Sequence, residues 1–184
     1  MARSSIPRLP QPPTPVSGPG PGTGAPPAVG PRPFDRRVIW AGGVVFAVLM
    51  ALSPRYGFHR DELYFLDSAR HLQASYVDQP VLTPLLAWVS LKLFGLSLPG
   101  LRLWPALAAG ATVVISGLTA RELGGGRRAQ LLAAIGTGTM PALLGASHLA
   151  STTPYDILAW TALALVVIHI GQGAATAAGG WPPG

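Results

Sequence analysis

The chain contains no cysteine and only one lysine, Lys92. The first absence excludes a disulfide framework and any thiolate metal site. Charge is also scarce. Only 11% of the 184 residues are Asp, Glu, Lys or Arg, against about 25% in an ordinary soluble domain. That deficit excludes a surface turned wholly to water and implies that much of it faces lipid. The 13 basic residues outnumber the 7 acidic ones, yet no basic stripe with interleaved aromatics accompanies them, so no nucleic-acid partner is expected. His59, His71 and His148 match no metal-binding spacing such as H-E-x-x-H. No cofactor and no resident metal are therefore expected, although a divalent metal stays open. The apolar runs carry few ionisable groups and no internal repeat, which argues against a transporter.

What the chain does have is Pro, Gly and apolar runs. Residues 1–33 hold eleven prolines and five glycines. Such a segment cannot bury enough apolar surface to offset its ordering entropy. Residues 1–35 are expected to form a disordered cytoplasmic arm. A membrane module follows over 36–178, with a short tail over 179–184. Its first apolar run, Val38 to Leu52, follows Arg36 and Arg37. The leader before it is long and Ser53-Pro54 is a poor cleavage site, so the run reads as an uncleaved signal anchor. Further runs cover 81–95, 103–119, 129–147 and 157–170. Between the first two, Leu63, Leu66, Ala69 and Leu72 recur at three-residue spacing and predict a short interfacial helix. On it, Asp67 stands at pairing distance from Arg70 and His71. Gly136, Gly138 and Gly145 suggest close helix packing.

Parity constrains the topology. Arg36-Arg37 and the turn carrying Arg121, Arg127 and Arg128 should lie on the same, cytoplasmic side. An even number of crossings must connect them, but three apolar runs intervene. The run 81–95 is the one to set aside. As a helix it spans about 22 Å, short of a hydrocarbon core of about 30 Å, and it contains Lys92. It is expected to lie at the outer interface. The result is an all-α, multi-pass membrane bundle of about four spans plus interfacial helices, with a cytoplasmic N-terminus in the plasma membrane. Five of the seven acids, Asp61, Glu62, Asp67, Asp78 and Asp156, then share the outer face. Carboxylates near lipid are functional candidates by default. Helix-entry positions would place Asp61-Glu62 and Asp156 just as well, because acids interact favourably with a helix N-terminus. Trp88 and Trp104 read as interfacial belt residues. His169 reads as a packed or cytoplasm-facing residue of the last span.

The ordered set Arg60-Asp61-Glu62-Leu63-Tyr64-Phe65, Asp78-Gln79-Pro80-Val81-Leu82-Thr83-Pro84, Leu101-Arg102-Leu103-Trp104-Pro105, Arg127-Arg128 and Thr153-Pro154-Tyr155-Asp156 resembles the polyprenyl-phosphate-sugar-dependent glycosyltransferases. These include the protein O-mannosyltransferases and the aminoarabinose transferases of lipid A. The likeness covers roughly residues 58–170, the amino-terminal module of that family. Its members are several times longer, so an amino-terminal portion or fragment is expected, and enzymatic competence is left open. The resemblance implies a polyprenyl-phosphate-linked sugar donor, an unidentified acceptor and a bilayer around both. It implies Asp61, Glu62 and Asp156 as catalytic residues. His59, Arg60, Tyr64, Asp78 and Gln79 are implied as substrate contacts. The family often has a basic residue before the proline; Gln79 stands there instead and donates hydrogen bonds without charge, which shifts phosphate binding toward Arg60, Arg55 or His59.

The chemistry of such a transfer fits these residue types. An acceptor hydroxyl needs a base. An oxocarbenium-like centre is stabilised by a carboxylate. The leaving phosphate needs cations or hydrogen-bond donors. Asp61 is the expected base, Asp156 the group that orients the acceptor or stabilises charge, and Glu62 either a supporting partner or the base itself. The reading from a different class is a non-catalytic membrane scaffold or assembly subunit, with a transporter behind both.

Overall fold

The computed structural model describes residues 32–77 and 79–179, with side chains described as far as Gly173. The Pro/Gly-rich segment up to residue 31, Asp78 and residues 180–184 lie outside the described residues. Every regular element among the described residues is a helix. They are α1 (Arg37–Leu52), continued by a 3-10 turn at Ser53–Arg55, then α2 (Arg60–Arg70), α3 (Leu82–Phe94), α4 (Leu98–Glu122), α5 (Arg127–Gly138), α6 (Pro141–Ser147) and α7 (Thr153–Gly179). Phe34 packs on the core and Asp35 is buried, so the bundle begins just before α1.

Among the described residues, three helices are long and apolar enough to cross a membrane: Arg37–Arg55, Leu98–Glu122 and Thr153–Gly173. The pair α5 and α6 is a fourth when counted as one broken span, bent by 54°. The expected continuous run 129–147 is thus interrupted. Pro141 opens α6 and cannot donate a hydrogen bond back into α5. It also drives Met140 out of the helical region, to ψ 119°. In contrast, α4 extends beyond the expected 103–119 at both ends and carries Pro105 in its interior. At 13 residues, α3 is about 20 Å long. It falls short of the span length and packs against α2 and α4.

Helix α4 is the central pillar, touching α1, α3, α5, α6 and α7. Lipid tails are as apolar as the helices, so association rests on close backbone approach and packing. The α1–α4 seam shows how. A Cβ on Gly42 would meet the Gly110 carbonyl oxygen at 2.6 Å, and one on Gly117 would meet Val38 at 2.5 Å. Around this seam Val38, Val45, Leu49, Ala106, Ala109, Val113, Ala134 and Leu143 form the larger core. Gly138 joins it, its Cβ position 2.9 Å from Val45. Gly136 and Gly145 face open space instead, so the packing expected of them does not form.

A second core, Phe65, Leu66, Ala69, Ala87, Leu101 and Ala150, seats α2 and α3 against the start of α4. The buried side of α2 is Glu62, Phe65, Leu66, Ser68 and Ala69. Leu63 and Leu72, from the predicted stripe, are exposed. A strict three-residue spacing drifts around a helix of 3.6 residues per turn and picks the wrong line. Asp67 forms no ion pair with Arg70 or His71; His71 Nδ1 lies 3.4 Å from the Asp67 carbonyl oxygen.

The two arginine clusters meet at one end of the bundle. Arg121 Nε donates to the Arg32 carbonyl at 2.7 Å, and the Asp35 amide donates to Gln130 Oε1 at 2.9 Å. The chain therefore returns to the same end between α1 and α4, as parity requires.

Candidate functional site

The opposite end gathers the turn after α1, the start of α2, the start of α4 and the α6–α7 loop. Glu62 holds them together. It is 0% exposed. Its Oε1 accepts from Arg102 Nε at 2.8 Å and from the Ala150 amide at 3.0 Å. Its Oε2 accepts from Arg102 Nη2 at 2.7 Å and from the His59 amide at 2.9 Å. The guanidinium is 2% exposed and also donates to the carbonyls of Ser53 at 2.6 Å and Gly57 at 2.9 Å. Each carboxylate oxygen thus has two donors, and Arg102 is shared between an acid and the preceding turn. Burial pushes the Glu62 carboxyl up. The Arg102 hydrogen bonds, the Ala150 and His59 amides and the guanidinium charge outweigh it, so its pKa lies below the ordinary carboxylate value.

That geometry makes Glu62 a link between four chain segments. A general base needs a free lone pair within reach of a substrate proton, and Glu62 offers none. Asp61, its neighbour, is 53% exposed at its side chain. Its Oδ1 lies 3.5 Å from Arg60 Nε and its Oδ2 3.7 Å from His59 Nδ1. His59 also caps α2, its Nδ1 accepting from the Asp61 amide at 3.3 Å. Arg60 is 92% exposed, and Tyr64 is 44% exposed with its ring 5.8 Å from that of Phe65.

Asp156 stands in the first turn of α7 and is exposed. It lines a cleft of about 390 Å³ with Thr152, Thr153, Tyr155, Pro80, Leu82 and Thr83. The segment before α3 and the start of α7 are therefore brought together. Asp61 reaches the same end but is not a wall of this cleft. Gln79 turns inward: its Nε2 donates to Ser68 Oγ at 3.3 Å, while its buried Oε1 has no partner among the described residues. The implied contact at Asp78 lies outside the described residues. Among the described residues, no three His, Asp or Glu side chains group as metal ligands. Trp104 Nε1 donates to Ser90 Oγ at 2.7 Å, and Lys92 sits 5.8 Å over the Trp88 ring. At the far end, exposed His169 meets Glu122 Oε2 at 3.1 Å.

Sequence reasoning passed over Arg102 as a site residue. The signal was available: Arg102 heads an apolar run, and a charge at such a position is costly unless it is paired.

Fold and site together define a multi-pass helical membrane protein with an acid-bearing end. The chain matches no family model, no curated protein and no solved structure. What it resembles rests on the residues quoted above.

Proposed function

We propose that the chain is a membrane glycosyltransferase, or the amino-terminal part of one. It moves a sugar from a polyprenyl-phosphate donor to an acceptor hydroxyl at the outer face of the plasma membrane, with its N-terminus cytoplasmic. One observation carries this reading. The Glu62–Ala150 hydrogen bond ties the acidic segment after α1 to the loop that leads into Asp156, so acids far apart in sequence serve one end of the bundle.

In the reaction, Asp61 takes the proton of the acceptor hydroxyl as its oxygen bonds to the anomeric carbon. The bond from that carbon to the phosphate oxygen breaks, and the polyprenyl phosphate leaves with the electron pair. Asp61 suits the base because it is exposed and adjacent to a fixed residue. Asp156, at the same end of the bundle, orients the acceptor or stabilises the developing positive charge. Arg60 and His59 offer exposed donors to phosphate. Glu62 and Arg102 hold Asp61 in place.

The test is transfer of labelled sugar from polyprenyl phosphate in membranes containing the full chain. Asp61→Asn is expected to lower the rate about a hundredfold or more, with helix content unchanged. Undiminished transfer removes Asp61 from its role.

A second reading, a scaffold or assembly subunit, is favoured by α7. Trp160, Leu163, Val167 and Ile170 form an exposed apolar line along it. A photo-crosslinker at position 163 separates the two: adducts to a partner helix support the scaffold, and adducts to lipid alone remove its support.

A further inference from the structure

The arginine end carries charge that the fold leaves uncompensated. Arg32, Arg36, Arg37, Arg121, Arg127 and Arg128 gather there. Among the described residues, none of the six guanidiniums has a carboxylate oxygen within 4.0 Å. The two acids nearby are engaged elsewhere. Asp35 is 7% exposed and accepts the Arg37 amide through Oδ1 at 3.0 Å. Glu122 faces His169.

Three of these arginines converge. A cavity of about 100 Å³ is lined by Arg37, Arg127 and Arg128, with Asp35 and Leu131 completing it. That is room for about three waters, or one phosphate group. One wall, Asp35, is held in place by Gln130. Gln130 is 0% exposed. It accepts from the Asp35 amide and donates to the carbonyls of Pro33 at 3.2 Å and Gly125 at 3.1 Å. The positive-inside rule accounts for arginines at this end. It does not account for three arginines around one cavity with a wall, Asp35, held by a buried glutamine.

We propose that this cavity binds the phosphate of an anionic lipid headgroup. Placement selects the lipid over a free anion. Arg37 is the first residue of α1, and Arg127 and Arg128 are the first two of α5, so the cavity sits where two membrane segments meet the headgroup layer. Trp40, one turn further in, is 76% exposed, as an interfacial aromatic would be. Leu131 gives the cavity an apolar wall on the bilayer side. Guanidiniums recognise phosphate through paired, charge-assisted hydrogen bonds. The buried Asp35 carboxylate leaves an excess of positive charge suited to a singly charged phosphodiester.

The test uses the full chain in nanodiscs of phosphatidylcholine with or without phosphatidylglycerol, with native mass spectrometry counting retained lipid. Selective retention of phosphatidylglycerol is expected. Arg127→Gln is expected to weaken it about thirtyfold, the loss of a hydrogen bond to a charged group. Arg36→Gln removes the same charge from the same end outside the cavity and is expected to weaken it no more than about fivefold. Arg127→Lys keeps the charge, so it carries the test if the glutamine variant misfolds; an intermediate loss, about fivefold, is expected because the planar fork is gone, against no loss for Arg36→Lys, which keeps the charge outside the cavity. Equal losses at positions 36 and 127 would mean a diffuse field and overturn the site. So would equal retention of the two lipids. Displacement of the lipid by inorganic phosphate alone would overturn the lipid assignment.

Discussion

The two ends of the bundle solve opposite problems. At one end a single buried pair, Glu62 and Arg102, collects four chain segments and leaves its neighbour Asp61 exposed. At the other, a neutral residue, Gln130, does the collecting, and the arginines stay outside with no carboxylate partner for their guanidiniums among the described residues. In the first case charge is structural and consumed within the protein. In the second, charge is displayed. The difference teaches where to test each proposal: near the acids, at the carboxylates that the buried pair does not use; at the arginines, at the charges themselves.

The strongest way to break this contrast is to remove one partner of the buried pair. Glu62→Ala strands the Arg102 guanidinium without water or acid. Loss of one member of a buried ion pair is expected to cost about 3–5 kcal/mol, read as a lowered unfolding midpoint in detergent. The pH dependence follows from the same pair. The folded-state pKa of Glu62 is depressed, so its stabilisation is present above the ordinary carboxylate range and is lost as pH falls through the folded value. The wild type should lose stability on acidification in that window, and Glu62→Gln should flatten the profile. If Glu62→Ala were no worse than a surface substitution, the pair would not organise this end.

The seam that joins the two ends comes next. Gly42→Val drives a side chain into the Gly110 carbonyl, 2.6 Å from the new Cβ. Overpacking of this kind is expected to cost about 1–3 kcal/mol. Gly136→Ala, in open space on α5, should instead be neutral or slightly stabilising, since alanine favours the helix by about 1 kcal/mol. Thermal unfolding of the two variants side by side checks both signs.

At the arginine end, Gln130→Leu removes three hydrogen bonds to and from the backbone before α1 and the α4–α5 turn. The expected loss is about 2 kcal/mol, from net values near 1 kcal/mol per bond partly offset by apolar burial. Hydrogen exchange should rise around Phe34 and Gly125 and stay unchanged at α2. Spread of the exchange to α2 would show that the ends are not independent.

How far the sequence foretells these regions depends on the range of each interaction. The span content and the meeting of the arginine clusters follow from run length and charge, which are local. The Glu62–Arg102 bond joins residues 40 apart, and no local pattern announces it beyond the odd position of Arg102. The break in the fourth apolar run is foretold by Pro141 and hidden by the unbroken hydropathy around it. The glycine faces depend on helix phase: Gly136 and Gly138 stand on different faces of α5 and Gly145 lies beyond the break, so Gly138 packs while the other two face open space. On α2, Glu62 belongs to the buried face although it is charged, and a search for apolar residues alone passes it by.

The smallest stability effect is the most informative for the acidic end. Asp61→Asn changes a half-exposed side chain whose nearest basic side chains among the described residues are Arg60 and His59, at 3.5 and 3.7 Å. Exposed pairs of this kind are worth little, and the expected change in stability is within about 0.5 kcal/mol. Asp156→Asn should be equally mild, since the residue is exposed at the start of α7. A carboxylate kept at a membrane boundary with no part in stability has to be explained by what it meets from outside. If Asp61→Asn instead unfolded the end as Glu62→Ala is expected to, both acids would be scaffold, the division between consumed and available charge would vanish, and the case for a transferase would lose its base.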